Sequence, residues 1–395
     1  MVRTGARTGP AKNRVYLENP RHFGFIRHTL ISKLEGKRPM KKLLATLTAA
    51  ALAFSLAACS NPGSTASESS SAPADTSSST TSEAADATPE AEPITMNVAY
   101  MPNYSSLVEV VTADRMGYFE EEGIDVNLVQ FQDGPTIIAA MENGSIDVGY
   151  IGSGAHKLCI NGQAKIFCFA HVGNGDRVMA LKSHGIETAA DLAGKTVGYA
   201  SGTSSEAILQ KTLASAGLTI DDINAMEIEP SGIVNAMVSG SLDACALWSP
   251  STLAVQEELG DDVIELADNL SFSDSSASVS SWICMADYAD ENYDNLLRFT
   301  RAIYKAKDYR ADEANAEQIS QWIAEECGLD FDTVYAQRGD AEWLTSQEMM
   351  DEVNDGTIES LYKSQQDGFI ASGDVEAEVP VSDYVMFDLM KEAAA

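Results

Sequence analysis

Two stretches decide the fold: Ala140-Met141-Glu142-Asn143-Gly144-Ser145-Ile146-Asp147 and Ala236-Met237-Val238-Ser239-Gly240-Ser241-Leu242-Asp243. Each reads as a helix closed by Gly, then Ser, an aliphatic residue and Asp leading into a buried strand. Gly fits there because a left-handed C-cap is open to a residue without Cβ. The same order of elements surrounds both copies. The pattern predicts strand 94–100, helix 104–119, strand 124–131, helix 135–143, strand 146–151, helix 154–161 and strand 166–171. It restarts with a short helix 188–193, strand 196–200, loop 201–205, helix 206–216, strand 224–228, helix 233–239 and strand 244–248. Such alternation argues for mostly parallel sheets with flanking helices, and the repetition for two similar α/β lobes with a cleft between them. Beyond them come a strand at 281–286 and helices at 293–307, 316–326, 331–336, 346–366 and 383–391, expected to pack back on the first lobe.

Composition bounds what such a chain can do. Its 395 residues are 45% hydrophobic, which excludes a wholly disordered chain and a low-complexity filament. The net charge of −33 argues against a nucleic-acid partner, which calls for a basic face. That charge is uneven. Residues 1–58 carry 11 Lys/Arg against 2 Glu, or +9, so the remainder carries −42. A basic leader on an acidic body indicates an export signal.

Residues 40–58 read as that signal: Met40-Lys41-Lys42, then an uncharged Leu/Ala-rich run, shorter than the roughly 20 residues that span a bilayer. Residues 1–39 read as a mis-called extension upstream of the true start. The run ends Leu56-Ala57-Ala58-Cys59, which resembles the bacterial lipobox. The resemblance implies that Cys59 is lipidated and anchors the protein on the extracytoplasmic face of the cell membrane. Residues 59–93 would then be the lipidated Cys and a disordered Ser/Thr/Ala/Glu tether, too poor in apolar groups to offset backbone ordering.

Further fragments carry a wider resemblance: Gly117-Tyr118-Phe119 with Gly123-Ile124-Asp125-Val126, Gly144-Ser145-Ile146-Asp147-Val148-Gly149, Asp191-Leu192-Ala193-Gly194-Lys195-Thr196-Val197-Gly198, and Trp248-Ser249-Pro250. In order and spacing they resemble the solute-binding proteins of the nitrate/sulfonate/taurine/thiamine-pyrimidine type, which serve ATP-driven importers. The resemblance implies the periplasmic-binding-protein-like type II fold: two Rossmann-like α/β lobes joined by two crossover segments. The crossovers are expected near 176–181 and 280–284, lobe one as 94–180 plus 281–393, and lobe two as 181–280. It further implies a permease and a separate ATPase as partners, no cofactor and a monomer.

In open α/β sheets the loops after strand C-termini face the ligand. That rule singles out Asn103 and Tyr104, Gln132 and Asp133, Gly152 and Ser153, the loop Ser201-Gly202-Thr203-Ser204-Ser205, and Trp248. Most of these loops open helices, whose free N–H groups can hold an oxyanion; the same Ser and Thr residues are equally good helix caps. Tyr104 and Trp248 could flank an organic group or simply pack. Asp133 suits an amine and repels a sulfonate. Arg177 and Arg338 are cations near the expected cleft, and also candidates for surface ion pairs.

No enzyme is expected. Leu192-Ala193-Gly194-Lys195-Thr196 mimics a phosphate loop, but Ala189 stands where its first Gly belongs. His156, His171 and His184 lack metal-ligand spacing. The cysteines after Cys59 are odd in number, and pairing of Cys159 with Cys168 stays open. The expected role is solute capture by lobe closure, with a sulfonate or taurine slightly preferred. A thiamine pyrimidine precursor, or a lipid-anchored sensor, is the alternative.

Overall fold

The structure, a computed structural model, describes residues 93–395. The extension 1–39, the signal 40–58, Cys59 and all of the 59–93 tether except Pro93 lie outside the described residues. Two sheets organise the described residues. The first has the order β11-β4-β10-β3-β1-β2, with β1 Ile94–Tyr100, β2 Ile124–Gln130, β3 Val148–Ile151, β4 Ala164–Gly173, β10 Val279–Met285 and β11 Ala341–Glu342. The second has the order β7-β6-β8-β5-β9, with β5 Asp176–Leu181, β6 Thr196–Tyr199, β7 Asn224–Glu227, β8 Ala244–Trp248 and β9 Val263–Asp268.

Each sheet holds a parallel trio, β2-β1-β3 or β7-β6-β8. The repeated segments end just before β3 and β8, and hydrogen bonds explain their aspartates. Asp147 Oδ2 accepts the Asn97 backbone N–H at 2.7 Å, while the Asp147 N–H donates to the Asn97 carbonyl at 3.0 Å. Asp243 treats Thr196 in the same way, at 2.7 and 2.8 Å. The carboxylate extends the pairing of first and third strands beyond the ladder. Gly144 and Gly240 turn the chain into it at φ +76° and +71°, and Ile146 and Leu242 fill the core below.

The sheets are mixed rather than mostly parallel. β10 runs antiparallel to β3 and β4, and β5 antiparallel to β8 and β9. Both strands receive the chain from the opposite lobe, and so enter their sheet from its far end. Residues 176–181, expected as a crossover, are strand β5 of the second sheet. The passages between sheets are residues 174–175 and 269–278. The edge strand β9, absent from the expectations, buries Val263 and Ala267 and leaves Glu265 between them exposed. The helix expected over 346–366 is two, Ser346–Asp355 and Thr357–Ser372, separated at Gly356.

The C-terminal helices complete the first lobe, sharing its core through Leu296, Phe299 and Ile303. Their main polar pin is buried. Lys307, on helix Tyr293–Ala311, donates to the Glu109 carboxylate of helix Tyr104–Arg115 and, at 2.8 Å, to the Ala170 carbonyl of β4. Glu109 also accepts the Trp282 indole N–H of β10 at 3.1 Å. The two charged side chains are 0% and 3% exposed, so each depends on the other for its solvation. Lys307→Met should therefore destabilise the fold by roughly 3–5 kcal/mol. The double variant Lys307→Met, Glu109→Gln should recover most of that, because Gln still accepts from Trp282. Chemical denaturation of the three proteins reads the difference.

Candidate functional site

A cavity of about 70 Å³ lies between the lobes. Tyr150, Ser153 and His171 line it from the first lobe, and Thr203, Ser204, Trp248 and Ser249 from the second. Asp176, Ser278 and Ser280 come from the ends of the passages, and Asp340 from the segment before β11.

The lobes meet closely around it. A Cβ placed on Gly154 would lie 2.0 Å from the Thr203 backbone, and one on Gly202 would lie 3.0 Å from the Pro135 ring. Lys157 spans the cleft, 3.1 Å from Glu206 of the second lobe and 3.0 Å from Asp374 of the first.

One hydrogen-bonded chain links cavity-lining Asp176, Ser204, Ser278 and Ser153 with residues behind them. Asp176 accepts from the Ser204 hydroxyl and, at 2.7 Å, from the Asn269 amide, whose oxygen receives the Asp176 backbone N–H at 2.9 Å. The same amide donates to Ser278 Oγ at 3.1 Å, and Ser278 donates to Ser153 Oγ at 3.0 Å. The Ser153 carbonyl accepts the Gln365 amide N–H at 2.6 Å, and Gln365 Oε1 lies 3.2 Å from His156 Nδ1.

Burial raises the Asp176 carboxyl, opposed by the Ser204 and Asn269 hydrogen bonds. Burial likewise pushes Asp340 up to about 6 against the Ser249 hydroxyl and the Arg177 charge, and Asp340 Oδ2 is buried without a hydrogen-bond partner. His171 is pushed down to about 3, by burial first and then by Lys307 and Arg310, and is neutral at physiological pH. Its Nε2 lies 3.2 Å from the Tyr150 hydroxyl, and Nδ1 has no partner.

Of the residues expected from the sequence, Asn103, Gly152, Ser153, Thr203, Ser204 and Trp248 line this cavity. Tyr104, Gln132, Asp133, Ser201, Gly202 and Ser205 do not. Tyr104 is buried edge-on against Trp343, with its backbone N–H on Gln337. Gln132 and Ser201 are exposed. Asp133 caps the helix Gly134–Glu142 by accepting the Thr136 N–H. Ser205 bridges β6 to β8, accepting the Ala200 N–H and donating to the Ala246 carbonyl. Gly202 gives its N–H to Glu206.

Neither candidate arginine lines the cavity. Arg177 pairs with Glu265 at 2.9 Å, and Arg338 with Glu313 at 2.7 Å while lying over the Tyr335 ring. Sequence reasoning passed over Tyr150, His171, Asp176, Ser278, Ser280 and Asp340. The aspartates stand one and two residues from the arginines it weighed. A carboxylate opening the apolar run Val178-Met179-Ala180-Leu181 was the available signal for Asp176. Cys159 and Cys168 are both free thiols.

A two-lobed α/β fold with a cavity between the lobes is the periplasmic-binding-protein fold. Residues 105–316 match the family model described as NMT1/THI5 like, and the chain belongs to that family. A binding protein of Brucella abortus is 31% identical over 298 residues, which is 75% of this chain and 92% of that protein. The taurine-binding periplasmic protein of Escherichia coli is 22% identical over 55% of this chain and 67% of its own length. Among solved structures, the alkanesulfonate-binding protein of Xanthomonas axonopodis pv. citri, bound to MOPS, matches with TM-score 0.57 at 20% identity, covering 75% of this chain and 99% of that one. The fold is also that of a desulfurization enzyme, at TM-score 0.52 and 15% identity. Among the described residues no helix is long and apolar enough to cross a membrane.

Two predictions follow from this geometry. Gly154→Ala puts a methyl group into the Thr203 backbone, so the lobes cannot reach this separation. Small-angle scattering should give a larger radius of gyration than wild type with unchanged circular dichroism; equal radii would contradict the contact. The second concerns pH. Asp340 faces Asp176 and Arg177 and binds its proton more tightly folded than unfolded. Its contribution to stability is full below pH 3.8 and is lost as pH rises through about 6. Asp340→Asn, which has no proton to lose, should gain on wild type between pH 4 and pH 7, by up to about 3 kcal/mol. Unfolding curves at the two pH values measure the gain.

Proposed function

We propose that this protein is the solute-capturing component of an ABC importer and binds its solute without transforming it. The cavity carries the reading: both lobes and both passages contribute walls, so a solute held there favours the closed pair of lobes, which a permease can recognise. The environment of His171 supports binding over catalysis, since its placed ring nitrogen faces the Tyr150 hydroxyl instead of a nucleophilic serine or cysteine. Lipid on Cys59 and the tether to residue 93 would hold the closed protein at the outer face of the membrane, within reach of its permease.

The sulfonate preference loses part of its basis. Helix N-termini do point at the cleft, but their caps take N–H groups that an oxyanion would need. Asn103 accepts from Ser106, Asp133 from Thr136 and Thr203 from Ser205. A nitrogen-bearing solute, the thiamine-pyrimidine kind among them, fits the carboxylates better.

Reconstitution tests the assignment. With the permease and ATPase subunits in proteoliposomes, solute-loaded protein should raise ATP hydrolysis several-fold over unloaded protein. In cells, Cys59→Ser should move the protein from the membrane fraction to the soluble one. An ATPase indifferent to the loaded protein sinks the importer reading.

A further inference from the structure

We infer that the cleft selects a compact organic cation, and that Asp340 is the group that takes its charged N–H. The inference rests on the solute-capture reading and names the solute class of that same cavity.

Three observations converge. Among the described residues, the charged ones lining the cavity are Asp176 and Asp340, with no Lys or Arg beside them. The two carboxylates differ in what they can still accept. Asp176 already has Ser204 on one oxygen and Asn269 on the other. Asp340 Oδ2 is buried, within the wall, and has no partner. A buried acceptor left unpaired is costly, and most costly when charged, so the closed site lacks a donor at this oxygen. Arg177, the cation behind Asp340, is committed to Glu265 and to the carbonyls of Asn174 and Asp176.

The remaining walls suit a cation with an apolar body. Trp248 and Tyr150 present aromatic surface, which attracts ammonium and guanidinium groups. The hydroxyls of Ser153, Ser249 and Ser280 can each accept a further N–H. At about 70 Å³ the cavity has room for on the order of five waters, which favours a small amine or amidine over a nucleoside or a peptide. Neutral His171 adds no competing charge.

Calorimetric titration of the purified protein at pH 7.5 tests this. The probes are propylammonium and benzamidinium, the matched anions propanesulfonate and benzenesulfonate, and zwitterionic taurine. At least one cation should bind tenfold or more tighter than its matched anion. Asp340→Asn should weaken that cation at least tenfold, whereas Asp367→Asn, the same change of charge at an exposed position bonded to Lys363, should leave it unchanged. Should Asp340→Asn not fold, the ranking of cation over anion by the wild-type protein remains the test. Binding of an anion or of taurine alone overturns the cation class and leaves solute capture standing. A cation bound equally by Asp340→Asn overturns the role of Asp340. Silence of all five probes on folded protein overturns the cation proposal and counts against solute capture as well.

Discussion

Asp176 is a buried carboxylate on which both passages between the lobes depend. It opens β5 directly after the first passage, and Asn269, at the start of the second, contacts it from both ends of its amide. Ser204 reaches it from the mouth of a second-lobe helix, and Ser278 continues the chain to Ser153 in the first lobe. Among the described residues two passages of chain join the lobes, which are free to swing unless something sets their angle. Here one side chain holds hydrogen bonds to the hinge and to one lobe simultaneously. The cost of burying it is offset by those donors, and the same burial makes it a wall of the cavity.

The electrostatics of the cleft follow from that arrangement. A second aspartate, Asp340, lies near the first, and its charge is only partly answered by Arg177, which is itself neutralised by Glu265. The cleft is therefore acidic inside an acidic protein. Long-range attraction of a cation is weak beyond the 8–10 Å over which salt screens, so the general charge adds to encounter rather than to choice. Choice rests on the cavity wall, where an unpaired, buried carboxylate oxygen of Asp340 distinguishes a donor from an acceptor. Lys157, between Glu206 and Asp374, adds a cross-cleft contact whose geometry exists only when the lobes are together.

The fold was legible because its signals are local. Gly144 and Gly240 end helices, Ile146 and Leu242 are aliphatic at the position that turns inward, and Asp147 and Asp243 follow at a fixed interval. Such features recur in one chain when two lobes are built alike. The direction of β5 and β10 was not legible, because strand polarity depends on which lobe the chain arrives from, and residues 176–181 carry no mark of that. The cavity lining was legible where it is made of helix starts: Asn103, Ser153, Thr203 and Ser204 sit where an α/β loop faces the crevice. It was illegible where distant segments meet, and Tyr104 shows the converse, an aromatic in the right loop turned onto Trp343 by packing.

By itself the amino-acid sequence determined two α/β lobes, an acidic charge balance after residue 58 against a basic one before it, and several of the helix starts that line the cavity. These depend on periodicity, capping and charge, which act over a few residues. Only the tertiary structure decided what the cleft can hold. Asp176 and Asp340 stand far apart in the chain, and their shared cavity arises from the return of the C-terminal segment to the first sheet through β11. Each acquires its chemistry from burial and from its partners, Ser204 and Asn269 for one and an empty acceptor position for the other. Those are properties of an assembled interior, where the absence of water sets the energy of every polar group.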